Sequence, residues 1–481
     1  MNKYIKSDIA IIGAGVIGCA IARRLSRYTN SVTVLEKEAD IGWGTTKANS
    51  GIIHAGYAGE PGSLKLRLSP RGNKLFRKNA QELDIPIKMP GSLVNANDRS
   101  QIAELEKLYT RGLNNGVDNM CIIRGNKEIK KLEPNIRKEV CASLLAKDAC
   151  IVSPYETVIA LYENSKANGI NFLFNNNVLK IENDAKFMIH TDQTIIESEY
   201  IVNAAGLFTD NIAAMIGDTS FKIGAVKGQY FLIDKEEDYI KHINFPLTTG
   251  KDRRSKGILM TPTIDGNILI GPNYIRSDKG DLSTEDRSYR EITDKIGKYF
   301  DNIPFDKVIT SFSGLRAVSD TNDFIIAPSP MNAKFINVAG IQSPGLTCAF
   351  AISETVADIL KEAGSKFKNN KKFNPLRYGI KRFNQDDPIK SNALFKENRD
   401  YANIVCRCEK VSEAEVVEAI RRGATTLDGI KFRTRAGTGR CQGGYCTLRI
   451  LKILSRELSV SIEEITKKGD GSYIVGKRVK Q

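Results

Sequence analysis

The feature that most constrains the fold is a glycine-rich segment, GAGVIG at residues 13–18. The stretches before and after it, residues 8–12 (DIAII) and 31–36 (SVTVLE), are short, apolar and β-branched, which predicts two buried strands. Residues 16–28 between these strands have the composition of a helix. A strand–helix–strand unit of this kind predicts a parallel sheet with a right-handed crossover.

The spacing of the glycines is typical of a dinucleotide-binding turn. Gly13 permits the tight turn, Gly15 lets the backbone approach a pyrophosphate, and Gly18 allows the helix to pack closely on the strand. The N-terminus of the helix offers amides and the positive end of its dipole to the phosphates. Glu36 ends the second strand, where a carboxylate can accept hydrogen bonds from the adenosine ribose. These residues predict a nucleotide site.

Two further segments favour FAD over NAD as the nucleotide. NAAG at residues 203–206 follows an apolar strand and resembles the second nucleotide-contacting turn of flavoproteins. A Gly-Leu-Thr turn at residues 345–347 opens an apolar helix, and its amides can stabilise the negative charge of a reduced flavin ring. The chain contains no second GxGxxG unit, which argues against the two-nucleotide layout of a disulfide reductase.

Four of the nine cysteines form two close pairs near the C-terminus, Cys406-x-Cys408 and Cys441-x4-Cys446. Four thiolates brought together by a short helical insert predict a tetrathiolate site for either an iron–sulfur cluster or zinc. The redox context favours iron, because a flavin gives up two electrons and an iron–sulfur centre carries one at a time. The other cysteines show no metal-ligand spacing, and most of them are expected to be small core residues; they are Cys19, Cys121, Cys141, Cys150 and Cys348.

Composition excludes several classes of function. The net charge of +15 could suit an anionic substrate or membrane surface, but no zinc-finger, RRM or basic-helix signature predicts nucleic-acid binding. No apolar run is long enough for a transmembrane helix, and no secretory signal precedes Asp8. We therefore expect a cytoplasmic protein, in which any membrane association comes through a partner, and cysteines that are thiols or ligands.

Residues 7–365 resemble the superfamily of glycerol-3-phosphate dehydrogenases, L-2-hydroxyglutarate dehydrogenases and D-amino-acid oxidases. The resemblance rests on the fingerprint, NAAG, GTT at 44–46, NSGIIHAG at 49–56 and SGLR at 313–316. It implies an α/β fold over residues 1–365 that binds FAD non-covalently, with a Rossmann-type FAD lobe (about 1–85, 146–215 and 321–365) and a mixed-sheet substrate lobe (about 86–145 and 216–320). The implied FAD contacts are Gly13, Gly15, Gly18, Glu36, Thr45, Thr46, Ser50, Gly206, Gly345, Leu346 and Thr347.

Residues 401–460 resemble the bacterioferritin-associated-ferredoxin-like domain, a small helical domain that binds a [2Fe–2S] cluster. The resemblance rests on CRCE at 406–409 and GTGRCQGGYC at 437–446. The second cysteine pair is spaced by four residues where the type member has two, as at the end of anaerobic glycerol-3-phosphate dehydrogenase large subunits. The resemblance implies four cluster ligands and four arginines that balance the cluster charge, namely Cys406, Cys408, Cys441 and Cys446 with Arg407, Arg433, Arg435 and Arg440. Residues 366–400 are expected to be a connector and 461–481 a tail.

The candidate catalytic residues come from two of these motifs. Arg316 in SGLR matches a substrate-facing arginine of the superfamily, and a bidentate guanidinium suits phosphate or carboxylate. His54 is one of three histidines in the chain and could remove the substrate proton. The remaining predicted pocket residues are Lys65, Lys227, Tyr230 and Tyr274.

The sequence leaves the substrate open. PGSLK at 61–65 and KGQYF at 227–231 look like the L-2-hydroxyglutarate branch, and KGQY stands where glycerol-3-phosphate enzymes carry RGSH. The appended cysteine domain points instead to the anaerobic glycerol-3-phosphate enzyme. We expect oxidation of sn-glycerol 3-phosphate to dihydroxyacetone phosphate, with electrons passing to a protein subunit or quinone-linked acceptor. A 2-hydroxy acid, an amino acid, or a role as the electron-transfer subunit of a larger oxidoreductase are the alternatives.

Overall fold

The structure is a computed structural model that describes residues 3–248, 257–383 and 387–476. Its contacts divide the chain into one unit of Met1–Glu36 and Gly42–Leu376 and a second unit of Lys37–Ile41 and Arg377–Gln481. The expected connector, 366–400, is thus shared between the two units, and its residues 384–386 lie outside the described residues, as do 477–481 of the expected tail.

The helices of the described residues have the following bounds: α1 (Val16–Leu25), α2 (Leu64–Glu82), α3 (Ile102–Asn114), α4 (Asn126–Leu132), α5 (Pro154–Ala167), α6 (Thr209–Ala214), α7 (Asp286–Ile296), α8 (Gly345–Glu362), α9 (Pro388–Glu397), α10 (Glu413–Arg421), α11 (Leu427–Thr434) and α12 (Thr447–Leu458). None of these helices combines the length and the apolar content needed to cross a membrane.

The strands of the first unit are β1 (Lys3–Ile12), β2 (Val32–Leu35), β3 (Ile52–Ile53), β4 (Ile87–Lys88), β5 (Ser92–Ala96), β6 (Met120–Arg124), β7 (Ala142–Ala146), β8 (Cys150–Val152), β9 (Asn171–Leu173), β10 (Val178–Asn183), β11 (Phe187–Thr191), β12 (Thr194–Asn203), β13 (Ile223–Ile233), β14 (Ile243–Pro246), β15 (Met260–Pro262), β16 (Ile268–Ile270), β17 (Ile275–Ser277), β18 (Val308–Ser319), β19 (Ile325–Ser329) and β20 (Asn332–Ala339). The second unit has β21 (Ile404–Cys406) and β22 (Val411–Ser412).

One sheet of the first unit is built around β1. This strand pairs in parallel with β2 and β12, and the strand order along the sheet is β10-β11-β12-β1-β2-β9. In addition, β20 pairs in parallel with β12. All four residues of β2 are buried, which explains their uninterrupted apolar and β-branched composition. The predicted strand–helix–strand unit is therefore confirmed, with α1 packed against α5 and α8.

A second sheet has nine strands in the order β17-β13-β16-β15-β14-β5-β7-β6, with β18 also paired to β13. The β14–β5 pair is parallel and the other pairs are antiparallel, so the sheet is mixed, as the sequence predicted. One face contributes Phe245 and Leu259 to a core with Ile52, and the other contributes Phe231 to a core with Ile292 of α7.

The apolar spacing of residues 73–83 predicts a helix there, and α2 begins nine residues earlier, at Leu64. Ser63 caps it by accepting a hydrogen bond from the Leu66 amide, and Pro70 lies inside the helix. Proline lacks an amide donor and usually marks a helix boundary, which is why the sequence placed the start too late. The longer helix brings Lys65 into its first turn.

The second unit packs α10, α11 and α12 around a small apolar core that includes Val416, Ile430 and Leu454. Ser412 followed three residues later by Glu415 predicts a capping box at the start of α10. The structure confirms it: the Glu415 carboxylate accepts from the Ser412 amide at 2.8 Å, and the Ser412 hydroxyl accepts from the Glu415 amide at 3.4 Å. The sheets and the small helical unit confirm the predicted α/β class.

Candidate functional site

Three glycines shape the fingerprint turn. Gly13 has a φ of 105°, and a Cβ there would lie 2.5 Å from the carbonyl oxygen of Ala204. A Cβ at Gly18 would overlap the carbonyl oxygen of Gly13. A Cβ at Gly15 would instead meet only the Thr46 hydroxyl, at 3.4 Å. The protein's own packing therefore requires Gly13 and Gly18, whereas Gly15 borders a cradle that a side chain would fill.

The first turn of α1 suits an anion. Its N-cap, Gly15, provides no side-chain cap, and the turn contains no acidic residue. The Val16 amide donates to the Thr46 hydroxyl at 3.0 Å. The Ala14 amide donates to the Glu36 carboxylate at 2.7 Å. Thr46 and Glu36 hold the turn in place, with the positive end of the helix dipole directed at the cradle.

The second predicted nucleotide turn lies beside the first. Asn203 of β12 is paired with Ile12 of β1, so the two parallel strands end at the same edge of the sheet. Gly206 follows with a φ of 59°, and a Cβ there would meet no atom within 4 Å. Ligands of open parallel sheets bind at the carboxyl ends of the strands. The space beside Gly15 and Gly206 therefore fits a dinucleotide such as FAD.

The predicted flavin-facing turn at residues 345–347 begins α8. The helix has no acidic residue in its first turn and no side-chain cap. Thr347 is fully buried, and its hydroxyl accepts a hydrogen bond from the His54 amide at 2.9 Å. The Ser343 hydroxyl lies 3.3 Å from Nε2 of His54. The structure thus brings the predicted base next to the predicted flavin-facing helix start.

The pairing of β13 with β18 sorts the predicted substrate residues between two faces. Val226 lies opposite Arg316, and Tyr230 lies opposite Phe312. Opposite residues share a face of the sheet and successive residues alternate. Arg316 and Tyr230 therefore lie on one face, called here the site face, and Lys227 lies on the other.

The site face covers the segments that were assigned to FAD. The Ser50 and Tyr230 hydroxyl oxygens are 3.5 Å apart. Thr45 donates a hydrogen bond to the carbonyl oxygen of Leu315 on β18 at 2.7 Å. Further along the sheet, the ring of Phe245 lies 5.8 Å from that of His54, centroid to centroid. The sheet therefore covers both the predicted flavin contacts and the predicted base.

Arg316 is half-buried, and no carboxylate of the described residues forms an ion pair with it. A Cβ at Gly228, on the neighbouring strand, would lie 3.0 Å from a guanidinium nitrogen of Arg316. The absence of a side chain at Gly228 leaves room for the guanidinium on the site face. An arginine without a carboxylate partner in this position can bind an anionic ligand through two hydrogen bonds.

Lys227 does not join this group, and its expected substrate role is corrected. Its side chain is 1% exposed, and Nζ lies 2.7 Å from Asp281, 2.7 Å from Glu285 and 3.0 Å from Ser283. Burial lowers the pKa of Lys227, but hydrogen bonds to the two carboxylates and their charges outweigh it and raise the pKa overall. The three acceptors occupy the three donors of the ammonium, so Lys227 holds the 281–285 segment in place.

Lys65 and Tyr274 lie at other places around the sheet. The Lys65 ammonium donates to the carbonyl oxygen of Asn322, and its amide donates to the Asp323 carboxylate at 3.2 Å. Burial lowers the pKa of Lys65, and the charge of Asp323 partly opposes this effect. Lys65 therefore contacts the turn between β18 and β19. Tyr274 is half-buried immediately before β17 and stays a predicted pocket residue.

Arg276 is a functional candidate that no sequence motif indicates. Val226 of β13 has Arg316 of β18 opposite it on one side and Arg276 of β17 opposite it on the other. The two arginines, from the two strands that flank Val226, therefore share the site face, and Arg276 is the more exposed of them. No local motif surrounds Arg276, and only the pairing of the three strands reveals its position.

The four paired cysteines bring their thiols together two by two. The sulfurs of Cys408 and Cys441 are 3.6 Å apart, and the Cys446 thiol donates to Cys406. Within the part of the chain that the structure describes, no three His, Cys, Asp or Glu side chains meet closely enough to hold one metal ion. A [2Fe–2S] cluster takes two ligands on each iron, so two pairs fit a binuclear cluster better than a single zinc ion.

The environment of Cys406 favours a thiolate. The Cys446 thiol and the amides of Gly437 and Glu409 donate hydrogen bonds to the Cys406 sulfur. These hydrogen bonds outweigh burial, which raises the pKa, and they lower the pKa of Cys406 to about 6. Amides that donate to ligand sulfurs also tune the potential of a bound cluster. Cys406 and Cys446 are buried and Cys441 is exposed, so one edge of the site faces solvent.

Two of the arginines expected to balance the cluster charge have other partners. Arg433 is buried and binds Asp40 of the same unit, with one nitrogen–oxygen distance of 2.9 Å. Arg435 lies 3.0 Å from the Glu409 carboxylate. Carboxylates therefore match both charges, and the expectation is corrected for these two residues.

Two family models match the chain. A model described as FAD dependent oxidoreductase matches residues 8–359, and a model described as BFD-like [2Fe-2S] binding domain matches residues 404–456. The first match contains the fingerprint, and the second contains all four paired cysteines. The predictions of FAD and of a [2Fe–2S] cluster are confirmed by these matches.

Relatives of known identity match over most of the chain. A glycerol 3-phosphate dehydrogenase of Caloramator mitchellensis is 43% identical over 473 residues, which are 97% of this chain and 98% of that protein. A mitochondrial L-2-hydroxyglutarate dehydrogenase of Pongo abelii is 29% identical, over 74% of this chain and 87% of that protein. The structure of dithionite-reduced L-alpha-glycerophosphate oxidase from Mycoplasma pneumoniae with FAD bound superimposes with a TM-score of 0.73 at 27% identity, covering 78% of this chain and 99% of that one.

Proposed function

Because the chain belongs to the FAD-dependent oxidoreductase family, we propose that it oxidises sn-glycerol 3-phosphate to dihydroxyacetone phosphate and passes the electrons through its [2Fe–2S] domain to an acceptor. The observation that carries this choice is the 43% identity to a glycerol 3-phosphate dehydrogenase over 97% of the chain. A match of that length includes the cysteine region as well as the flavin region. It therefore supports the substrate and the two-centre organisation together.

Arg316 is proposed to bind the phosphate of the substrate. Its guanidinium lies on the site face without a carboxylate partner among the described residues, and planar donors suit a phosphate. Arg276 shares the face and is proposed to add a weaker, more solvent-exposed contact. Two cations on one face suit a dianion better than a neutral alcohol.

His54 is proposed to take the proton of the substrate hydroxyl. Phe245 lies against its ring, the Ser343 hydroxyl lies near Nε2, and the backbone amide is tied to Thr347. FAD, when bound, would supply the acceptor for the hydride of the carbinol carbon. Loss of that hydride from carbon and of the hydroxyl proton to His54 converts the alcohol to the ketone.

Cys406, Cys408, Cys441 and Cys446 are proposed to hold the cluster. A [2Fe–2S] centre carries one electron at a time, so it can divide the pair of electrons from one substrate between successive single-electron acceptors. The acceptor is proposed to be a protein or a quinone-linked partner.

L-2-Hydroxyglutarate is the second candidate substrate. KGQY at residues 227–230 replaces the RGSH of glycerol-3-phosphate enzymes, and the relatives include L-2-hydroxyglutarate dehydrogenase. A carboxylate would suit Arg316 as well as a phosphate does. The burial of Lys227 weakens this argument, because the first residue of KGQY lies off the site face.

Anaerobic bleaching of the flavin tests the substrate. The holoenzyme is mixed with sn-glycerol 3-phosphate, L-2-hydroxyglutarate or a set of amino acids, and the flavin absorbance is followed. We expect rapid bleaching with sn-glycerol 3-phosphate alone. Bleaching by L-2-hydroxyglutarate, with none by sn-glycerol 3-phosphate, would replace the first proposal with the second.

A further inference from the structure

The cysteine site has a buried side and an exposed side. Cys406 and Cys446 are buried, Cys408 is partly exposed and Cys441 is exposed. Electron transfer between proteins requires close approach of the two centres. The edge formed by Cys408 and Cys441 is therefore where a protein acceptor can come nearest to a bound cluster.

A group of four side chains lies next to this edge, and we call it the tyrosine patch: Arg407, Tyr445, Leu448 and Arg449. Arg407 and Arg449 lie over the Tyr445 ring, with guanidinium carbons 4.6 and 5.0 Å from its centroid. The Tyr445 amide donates to the Cys441 sulfur, which joins the patch directly to an exposed ligand. Tyr445 is 46% exposed and Leu448 is 57% exposed.

Stacking of two arginines on one tyrosine makes a surface that is both apolar and positive. Guanidinium groups over an aromatic face keep their charge and their outward donors. Tyrosine and arginine are enriched at the centres of protein interfaces, and the exposed Leu448 adds apolar surface three residues along the chain from Tyr445.

The charge around the patch has one sign. Residues 436–452 contain Arg440, Arg449 and Lys452 and no Asp or Glu. Arg456, further along α12, is paired with Glu413 and Glu457. The nearest acidic residue of the first cysteine motif, Glu409, is bound by Arg435. Neither Arg407 nor Arg449 forms an ion pair with a carboxylate among the described residues, in contrast to Arg433 and Arg435.

We propose that the tyrosine patch docks a negatively charged one-electron carrier protein. Each encounter moves one electron from the cluster to the oxidised centre of the carrier, so the oxidation of one substrate molecule needs two encounters. Opposite charges on the two surfaces steer the approach, and Tyr445 and Leu448 fill the dry centre of the contact. The inference rests on the proposed function, because it takes the cluster as the exit for electrons.

Two forms of one haem protein provide matched probes. Cytochrome c is basic, and succinylation of its lysines makes it acidic while leaving the haem in place. Binding of each oxidised form to the resting holoenzyme is measured by calorimetry at low and high salt. We expect the succinylated form to bind and to lose about tenfold in affinity between about 10 mM and 300 mM salt, because exposed charges are screened. We expect the basic form not to bind.

Three charge changes locate the contact. Arg407→Glu reverses a charge within the patch, and Leu448→Glu adds one near the start of α12, where a carboxylate favours the helix. Each should weaken binding of succinylated cytochrome c about fivefold or more. Arg421→Glu, an exposed change at the far end of α10, is the matched control and should leave the affinity within about twofold. Iron content and the visible spectrum show whether Arg407→Glu has lost its cluster. If it has, Leu448→Glu still tests the patch.

The outcomes separate this inference from the proposed function. Three results would each overturn the proposed docking at the tyrosine patch: equal binding of both cytochrome forms, binding that does not depend on salt, or an equal loss of affinity in Arg421→Glu. The binding measurements need no substrate. For electron transfer, dithionite can reduce the cluster in place of substrate, and the reoxidation of the cluster by the carrier is then followed. Failure of sn-glycerol 3-phosphate to bleach the flavin would therefore leave the docking result readable.

Discussion

In the first unit the candidate redox site draws on segments from Gly13 to Thr347, whereas in the second unit all four candidate ligands lie between Cys406 and Cys446. The first site depends on two sheets and two helix starts meeting correctly. The second depends on a short hairpin, a turn and the start of α12. A site assembled from distant segments is defined by packing, and a site assembled locally is defined by its bound group and the spacing of its ligands. The two units should therefore fail in different ways when single residues are changed.

The largest effect is expected at the cradle of the first unit. Gly15→Val should abolish FAD retention without unfolding the protein, because a Cβ at this position would meet only the Thr46 hydroxyl, at 3.4 Å, and the side chain would occupy the approach of the pyrophosphate. The flavin-to-protein ratio measures FAD retention, and the circular dichroism spectrum reports whether the protein is folded. Gly18→Val is the contrasting variant and should disturb folding itself, since its Cβ would overlap the carbonyl oxygen of Gly13. Full flavin occupancy in Gly15→Val would show that the turn is only structural.

The next effect concerns the anion contact on the site face. Arg316→Ala should lower kcat/KM by roughly 30-fold to several-thousand-fold, because loss of a partly desolvated charged contact costs about 2–5 kcal/mol. Arg316→Lys should recover part of this, since an ammonium cannot make the planar two-point contact. FAD content should not change. Lys222→Ala, which removes an exposed cation just before β13, is the control and should keep nearly full activity. A loss below threefold in Arg316→Ala at full occupancy would remove the proposed role.

The second unit should fail without affecting the first. Cys408→Ser removes the partly exposed candidate ligand and should weaken cluster binding by roughly 10–100-fold or more, since even the loss of a hydrogen-bond partner of a metal ligand costs that much. Reduction of the flavin by substrate should stay near the wild-type rate, while reduction of an acceptor that depends on the cluster slows. Cys121→Ser, an exposed cysteine of the first unit, is the matched control. Equal loss of both half-reactions in Cys408→Ser with FAD retained would contradict the relay.

The smallest effect is expected at Arg276. Arg276→Ala should lower kcat/KM about two- to fivefold, mainly through KM, because exposed charge contacts contribute little. The loss should shrink at high salt, which screens an exposed cation more than a half-buried one. A loss as large as that of Arg316→Ala would show that the two arginines contribute equally.

The same contrast explains what the sequence could predict. The fingerprint and the capping box of α10 depend on residues close together in the chain, and the structure confirms the turn and the cap. The spacing of the cysteine pairs is also local, and the structure brings their thiols together two by two. The role of Lys227 and the position of Arg276 depend on which face of β13 is inward and on which strand lies beside it. Arg433 likewise binds Asp40, which is remote from it in sequence. Partners of this kind follow from strand register and packing, which a single sequence does not specify.

The start of α2 shows a different limit. Pro70 inside the helix obscured the turns before it, although Ser63 and its hydrogen bond to the Leu66 amide mark the true start. A cap signal is local and was available in the sequence. The cap at Ser63 indicates that Lys65 lies in the first turn of α2, whereas the contact of Lys65 with the Asp323 turn follows from tertiary packing.

The central claim, that flavin chemistry in the first unit feeds a cluster in the second, is tested most directly by the order of two signals after rapid anaerobic mixing with sn-glycerol 3-phosphate. Flavin absorbance and the absorbance or electron paramagnetic resonance of the cluster are recorded on the same sample. We expect the flavin to be reduced first and the reduced-cluster signal to rise afterwards, in proportion to the substrate oxidised. A flavin that is fully reduced while the cluster stays oxidised would contradict the claim, as would a cluster that is reduced before the flavin.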